Sequence, residues 1–379
     1  MGIIFERQIN GPSTHAVVIG VGAYSHLLGG DGDLFPGHES MGQLTSPPQS
    51  AYDFATWLIN KYRNPAKPLA SLELLVSDAQ STGFTLPDGQ VKPVDQANMN
   101  NVKKAVLDWI DRGNTNVEHF MIFYFCGHGI ASGLLTSLLL EDFGERHDSP
   151  LMQAIDFQEF YLGMDKCKAR QQCYFIDACR AASPTLIESS GFKGDPIIYG
   201  SVRHSDLGSR RAPIYYSTVA GSRAYGRTGA PSLFTEALLK ALDGAGSDDV
   251  DGDWRVDTDT LNRGIDYILT RMIGEDLQID QVSPVCELTR FTFHHLDGRP
   301  IVPVTIGCEP HTANEKANLS YSNPAGQKMI RPAVKPAPWD VYLEEGNYQF
   351  YADFPGGEFH NNNEGRYIRP PFRPVQIPV

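Results

Sequence analysis

The sequence lacks a long apolar run and an excess of basic residues. No stretch approaches the length of a membrane-spanning helix, about 18 apolar residues, so we expect no membrane span. The 32 basic and 45 acidic residues give a net charge of −13, which argues against nucleic acid or an anionic membrane as the main partner. With 41% hydrophobic and 20% charged residues, the composition is typical of a globular protein.

Cysteines are few, and they follow no regular spacing. The six cysteines are scattered along the chain, which argues against a disulfide-stabilised scaffold. Two of them, Cys126 and Cys179, lie at the ends of apolar segments. The first residues show neither a basic start nor an apolar stretch, so we expect no targeting segment. These features predict a cytoplasmic protein with free thiols.

Apolar segments alternate with segments of helical periodicity along most of the chain. Strands are predicted at 15–23, 72–76, 119–126, 173–178 and 212–220, and helices at 51–62, 101–111, 157–168, 232–242 and 260–272. Asn100 or Asn101 is the predicted cap of the second helix, and Ser232 that of the fourth. This alternation predicts βαβ units and a doubly wound, mainly parallel α/β sheet.

The composition changes near Asp297. The remaining residues are rich in Pro, Asn and Gly, and they contain short alternating runs at 302–306, 339–343 and 348–352. We therefore predict two domains, residues 1–298 and residues 299–379, the second a small β-sandwich. We expect this second domain to recognise a substrate or partner, or to stabilise the chain.

Two predicted strands end in small residues and one reactive side chain. The segment 119–129 ends in His128 between two glycines, and the segment 173–180 carries Cys179. The carboxyl ends of parallel strands open into the crevice where α/β proteins bind ligands. A His and a Cys that meet there can act as base and nucleophile.

The small neighbours of these residues fit the same chemistry. Gly127 and Gly129 let the backbone approach a ligand closely, and the amides of Gly129 and Cys179 can form an oxyanion site. The alternatives are a buried structural cysteine and a surface histidine flanked by glycines. The two segments taken together favour the catalytic pair.

The two motifs resemble those of a known family. FCGHG at 125–129 and IDACR at 176–180 are similar to the His and Cys motifs of caspase-like cysteine peptidases, above all prokaryotic caspase-like proteins and metacaspases. Cys179 lies 51 residues after His128, which matches the spacing of roughly 50 residues in caspases. Residues 17–24 resemble the family's first strand and residues 231–239 a late helix, so the likeness spans about residues 13–295.

This resemblance implies a caspase-like three-layer fold with a mainly parallel central sheet in residues 1–298. His128 would be the general base and Cys179 the nucleophile, which forms a thioacyl intermediate with a protein or peptide substrate. No cofactor is needed for this chemistry. Prokaryotic relatives often act in stress or antiviral defence.

The resemblance also implies a specificity pocket. Basic-specific relatives carry Asp two residues before the nucleophile, so Asp177 is expected to select Arg or Lys before the cut. Cys126 stands where relatives often have Ser or Ala, and Ser50 where they often have Asp. We assign both, with Ser217, to the substrate pocket. The alternative for Asp177 is an acid that shapes the loop through hydrogen bonds.

The segment 181–211, predicted to be an exposed loop, follows the nucleophile. The equivalent stretch of the family often holds a self-cleavage site. Arg203, Arg210 and Arg211 are candidates if the pocket prefers basic residues. The alternative is a solvated basic loop.

An acidic segment resembles a calcium loop. Asp249, Asp251 and Asp253 supply oxygens at the spacing of an EF-hand. Trp254 stands where the turn Gly belongs, however, and Thr260 where the bidentate Glu belongs. We favour a solvated acidic loop over a Ca²⁺ site.

Two other classes of protein remain open. One is a catalytically silent caspase-like scaffold that binds a regulatory partner, which would not need both His128 and Cys179. The other is a receiver-like or flavodoxin-like binding module, which would need acidic or phosphate-cradling residues that the segment 127–129 does not supply.

Overall fold

The computed structural model describes residues 2–78, 83–132, 135–179, 194–200, 209–218, 228–273 and 284–379. Contacts divide the chain into two compact units. The first unit contains residues 1–239 and 269–291, and the second contains residues 240–268 and 292–379. The second unit thus includes a segment that precedes the predicted domain boundary at 298/299. The boundary itself stays a prediction.

The helices and strands are numbered along the chain. The helices are α1 (Ser46–Asn60), α2 (Met99–Gly113), α3 (Phe157–Gly163), α4 (Leu233–Lys240) and α5 (Thr258–Ile273). The strands are β1 (Ile3–Glu6), β2 (Thr14–Val21), β3 (Leu69–Ser77), β4 (Phe84–Thr85), β5 (Val91–Lys92), β6 (Phe120–Gly127), β7 (Gly129–Ser132), β8 (Leu135–Leu139), β9 (Ala154–Asp156), β10 (Gln171–Ala178), β11 (Ile214–Tyr216), β12 (Asp248–Val250), β13 (Asp253–Asp257), β14 (Val285–Cys286), β15 (Thr292–His295), β16 (Ile301–Glu309), β17 (Asn318–Ser322), β18 (Lys328–Ile330), β19 (Trp339–Glu344), β20 (Gly346–Asp353), β21 (Asn362–Ile368) and β22 (Arg373–Pro378).

A mainly parallel sheet forms the centre of the first unit. In the described residues its strand order is β1-β3-β2-β6-β10-β11-β14. The five strands from β3 to β11 are parallel, and the two outer strands are antiparallel to their neighbours. β2, β3 and β6 are buried along their whole length, which explains their nearly continuous apolar sequences. The predicted parallel α/β sheet is confirmed.

Helices cover both faces of this sheet. Phe123 and Tyr124 are neighbours on β6 and therefore point to opposite faces. Tyr124 stacks on Phe54 of α1 with ring centroids 4.7 Å apart. The ring centroid of Phe123 lies 6.3 Å from that of Trp109 of α2 and 5.2 Å from that of Phe160 of α3. This three-layer arrangement is the predicted caspase-like architecture.

The helix ends correct two details of the prediction. α1 begins at Ser46, five residues before the predicted start, because prolines are tolerated in a first turn whose amides have no helical partner. Asn98 caps α2, since its Oδ1 accepts a hydrogen bond from the amide of Asn101 at 3.0 Å; the predicted caps at 100 and 101 are wrong. Ser232 is confirmed as the cap of α4, with the amide of Thr235 3.0 Å from its Oγ.

The second unit contains the predicted β-sandwich. One sheet has the order β19-β16-β22 and the other β18-β17-β20-β21. Side chains from both sheets form one buried core that includes Val304, Ile306, Leu319 and Phe350. The alternating burial along β20 is typical of a strand with one face on such a core. A further three-stranded sheet, β12-β13-β15, belongs to this unit.

Among the described residues, no helix is both long enough and apolar enough to cross a membrane.

Candidate active site

His128 and Cys179 follow the two central strands of the first unit. β6 and β10 are parallel, and their last aligned pair is Gly127 with Ala178. The next residue on each strand is His128 and Cys179, so the two leave the sheet side by side at its carboxyl edge. Cys179 is half-buried, whereas Cys126 is buried. The structure thus places both predicted residues where α/β folds bind ligands.

The imidazole of His128 is oriented by the backbone of the preceding loop. Its Nε2 lies 2.8 Å from the carbonyl oxygen of Gly42. A carbonyl only accepts, so Nε2 must carry a proton, and in the neutral ring Nδ1 holds the lone pair. Burial lowers the pKa of His128, and the hydrogen bond to Gly42 opposes this shift. The ring is therefore a neutral base near pH 7.

Tyr24 contacts both the backbone and the ring of His128. The amide of His128 donates a hydrogen bond to the Tyr24 hydroxyl at 2.7 Å, and the two rings lie 4.8 Å apart. Sequence reasoning missed both Tyr24 and Gly42. A backbone carbonyl carries no side-chain signal, and Tyr24 is far from His128 along the chain.

The glycines beside His128 permit close contact between the strand ends. A Cβ atom on Gly127 would lie 2.8 Å from the Tyr24 hydroxyl oxygen. One on Gly129 would lie 2.6 Å from the carbonyl oxygen of Cys179. Real Cβ atoms do not approach other atoms this closely, so a side chain at position 127 would displace the Tyr24 hydroxyl and one at position 129 would displace backbone.

The amide of Gly129 points out of the neighbouring hairpin. Gly129 is aligned with Leu138 in the antiparallel pair of β7 and β8, and the amide of Leu139 donates to the carbonyl of His128 at 3.0 Å. This pattern makes Gly129 and Leu138 a non-hydrogen-bonded pair. The Gly129 amide therefore does not donate to β8 and is oriented away from it.

Asp177 lies inside a cluster of hydroxyl and thiol groups. It is 2% exposed. Its Oδ2 accepts hydrogen bonds from Ser232 Oγ, from Thr235 Oγ1 at 2.7 Å and from Cys126 Sγ at 3.4 Å. Ser217 is a further hydrogen-bonding neighbour. Burial raises the pKa of Asp177 above its usual range, and these four hydrogen bonds limit the rise.

Ser50 belongs to the same cluster. Its Oγ accepts the amide hydrogen of Ser232 at 3.0 Å, and it is a hydrogen-bonding neighbour of Cys126. The structure thus brings together all four residues assigned to the substrate pocket. Sequence reasoning recognised Ser232 only as a helix cap and missed Thr235, which also contacts the Tyr124 hydroxyl at 2.6 Å.

Cys126 differs chemically from Cys179. Burial, followed by the charge of Asp177, raises the pKa of the Cys126 thiol well above its ordinary value. The group is therefore a neutral hydrogen-bond donor, which is typical of an unreactive structural cysteine.

The predicted processing segment is described only in part. Residues 180–193 and 201–208, with Arg203, lie outside the described residues. Arg210 is not exposed as predicted, because its guanidinium lies over the ring of Tyr161 at 4.1 Å and donates to that residue's carbonyl at 2.7 Å. Arg211 is exposed.

The acidic segment forms a β-hairpin. Asp251 and Gly252 connect β12 to β13 and have φ values of 56° and 84°, as a two-residue type I′ turn requires. An EF-hand loop instead joins two helices. Nowhere in the described residues do three or more His, Cys, Asp or Glu side chains form a group that could hold a metal ion, so Asp249, Asp251 and Asp253 do not form such a group.

Comparison with known protein families identifies the family of this chain. A family model described as a caspase domain matches residues 14–259. The chain therefore belongs to the caspase domain family, a family of cysteine peptidases.

One curated relative and one solved structure are similar to parts of this chain. Uncharacterized protein y4kE of Sinorhizobium fredii is 33% identical over 189 residues, which cover 48% of this chain and 52% of that protein. The chain thus matches about half the length of this curated relative. Among solved structures, caspase-1 from Spodoptera frugiperda is similar with a TM-score of 0.42 and 13% identity, over 75% of this chain and 93% of that chain.

Proposed function

We propose that this chain is a cysteine endopeptidase in which Cys179 is the nucleophile and His128 is the general base. The observation that carries the proposal is the hydrogen bond between His128 Nε2 and the Gly42 carbonyl. It leaves Nδ1 as the proton acceptor at the sheet edge that also carries the half-buried thiol of Cys179. Membership of the caspase domain family supports the same chemistry.

The reaction has two halves. His128 accepts the thiol proton, the sulfur bonds to the scissile carbonyl carbon, and the carbonyl π electrons move to its oxygen. The C–N bond then breaks, and the amine leaves with the proton from His128. Water then attacks the thioester carbon while His128 accepts a proton from the water. The C–S bond breaks, the carboxylic acid is released, and His128 returns the proton to the sulfur of Cys179. No metal or organic cofactor takes part in these steps.

Backbone amides would stabilise the oxyanion. The amide of Gly129 is oriented away from β8, and the amide of Cys179 stands at the adjacent strand end. Two such donors are the usual composition of an oxyanion hole.

We propose that the enzyme cleaves after Arg or Lys. No cation among the described residues forms an ion pair with Asp177, whose neighbours are neutral hydroxyl and thiol groups. A buried carboxylate without a counter-ion favours a ligand that supplies one. The Ser50, Cys126 and Ser217 side chains would line the same pocket.

Self-processing in the segment 181–211 is part of this proposal. Arg210 is held by a hydrogen bond to Tyr161, whereas Arg211 is exposed. Among the described arginines, Arg211 is therefore the better candidate for cleavage. A cytoplasmic location is supported by the six cysteines, whose irregular spacing is not that of a disulfide framework. A stress or defence role rests on family resemblance alone.

The test is a cleavage profile on a peptide library with all residues varied before the cut. We expect turnover of peptides with Arg or Lys, and none with Cys179→Ala or His128→Ala variants that retain the wild-type melting temperature. Full activity of the Cys179→Ala variant would refute the nucleophile, and a preference for apolar residues would refute the role of Asp177.

A silent scaffold that binds a regulatory partner is the alternative. A peptide-based electrophile distinguishes the two, because only a peptidase forms an adduct at Cys179 that the His128→Ala variant lacks.

A further inference from the structure

We propose that Tyr24 and Gln43 are positioning residues that hold the imidazole of His128 within a closed ring of contacts, here called the histidine clamp. The clamp consists of Tyr24, Gly42, Gln43 and His128. The inference rests on the proposed function, because it concerns how the base of that reaction is held.

Tyr24 makes the first contact of the clamp. The residue is fully buried, and its hydroxyl oxygen accepts the His128 amide hydrogen at 2.7 Å. Its ring lies 4.8 Å from the imidazole at an interplanar angle of 47°. Tyr24 thus fixes both the backbone of His128 and one side of its ring.

Gln43 makes the second contact. Its Oε1 accepts the amide hydrogen of Tyr24 at 2.8 Å, and its Nε2 donates to the Tyr24 carbonyl at 3.0 Å. The Nε2 also donates to the carbonyl of Leu28 at 3.1 Å. One side chain therefore pairs with both backbone groups of Tyr24, as an adjacent strand would.

The third contact closes the ring. Gly42 precedes Gln43, and its carbonyl oxygen lies 2.8 Å from His128 Nε2. The loop that begins at Tyr24 therefore holds His128 at two points. Tyr24 contacts the backbone amide of His128, and Gly42 contacts its ring. Movement of either end would displace the imidazole from its position at the sheet edge that also carries Cys179.

The contacts indicate positioning rather than proton transfer by Tyr24. Burial raises the pKa of its hydroxyl well above 10, so the group stays protonated across the working pH range. Its oxygen is engaged by the His128 amide and not by an imidazole nitrogen. Displacement of a catalytic group by about 1 Å can lower a rate by about a hundredfold.

The experiment compares Tyr24→Phe and Gln43→Met with Tyr62→Phe. The control loses a buried hydroxyl that bonds Thr14 Oγ1 at 2.8 Å, near the amino end of β2 and away from the clamp. We expect kcat to fall by about tenfold or more in both clamp variants with KM nearly unchanged. The Tyr62→Phe variant should keep the wild-type kcat.

A second readout does not depend on peptidase activity. In the Cys179→Ala background, NMR of the imidazole should show the Nε2–H tautomer and a lowered His128 pKa. Adding Tyr24→Phe should raise that pKa towards its ordinary value and mix the tautomers, since a looser ring is better hydrated. Unchanged tautomer and pKa in both clamp variants would overturn the clamp, whatever the peptidase assay shows. An inactive wild type with a clear NMR response would instead refute the proposed function and support the clamp.

Discussion

Gly129 and the carbonyl of Cys179 are packed so closely that a single added carbon would lie 2.6 Å from the carbonyl oxygen. The same carbon would lie 2.9 Å from the Cβ atom of Ala178. Neither obstacle is the end of a flexible side chain. The glycine after His128 is therefore required by the contact between two strand ends, before any role of its amide is considered.

The first prediction concerns this contact. Gly129→Ala should push the ends of β6 and β10 apart, lower kcat/KM by roughly a hundredfold or more and cost about 1–3 kcal/mol in the free energy of unfolding. Peptide hydrolysis and urea denaturation measure the two effects. Gly298→Ala is the matched control, because a Cβ atom there meets nothing within 4 Å. Equal activity of the Gly129→Ala and Gly298→Ala variants would contradict the packing argument.

The second prediction concerns Asp177. Asp177→Asn keeps an acceptor for Ser232 and Thr235 but removes the charge, so kcat/KM for peptides with Arg before the cut should fall by about a hundredfold or more. Peptides with a neutral Gln at that position should lose far less. Asp108→Asn serves as a control, since it removes a carboxylate from an exposed pair with Lys104.

The outcome separates two roles of this acid. A uniform loss on both peptides, together with a lower unfolding midpoint, would mean that Asp177 only shapes the loop and the start of α4. A selective loss on Arg peptides at an unchanged midpoint would support the pocket.

The strands that carry the candidate site were predictable from sequence. β6 and β10 are buried on both faces, so their apolar runs are long and end abruptly in small residues. Parallel strands then bring His128 and Cys179 to one edge without further information. The predicted parallel sheet and the C-terminal sandwich follow from the same periodicities.

What the sequence could not reveal depends on backbone groups and long-range contacts. Gly42 contributes a carbonyl, and Gln43 contributes an amide that pairs with the backbone of Tyr24. Neither leaves a motif. The resemblance at 249–253 arises because an Asp-Gly turn between short strands contains the same acids as a calcium loop.

The third prediction concerns stability at acid pH. Burial, with the charges of His119 and Arg112, lowers the pKa of His15 to about 3. In the unfolded chain this histidine protonates near pH 6.5. Between these values only the unfolded state binds the proton, so the free energy of unfolding should fall as the pH falls. Full linkage across the window between these two pKa values is on the order of 5 kcal/mol in the free energy of unfolding.

Urea denaturation at several pH values between 7 and 3.5 tests this effect. His15→Gln should reduce the slope of the free energy of unfolding against pH by the equivalent of nearly one proton, because the titrating imidazole is absent. His119 contributes in the same direction, since burial lowers its pKa. Glu73 and Asp142 have raised pKa values and act in the opposite direction, so the comparison between wild type and variant is decisive. Parallel curves for the two proteins would refute the linkage.

The fourth prediction ranks the thiols by reactivity. Cys179 is half-buried beside His128, Cys286 is exposed, and Cys126 is buried with a raised pKa. Brief treatment with iodoacetamide near pH 7, followed by peptide mapping, should modify Cys179 first, Cys286 next and Cys126 last. Only a thiolate reacts, and Cys179 is the one thiol of the three whose proton His128 can accept. His128→Ala should slow the modification of Cys179 to about the rate of Cys286 and leave Cys286 unchanged, which makes the exposed thiol an internal standard. Modification of Cys126 as fast as Cys179, or no change in Cys179 on loss of His128, would show that the imidazole does not activate the nucleophile.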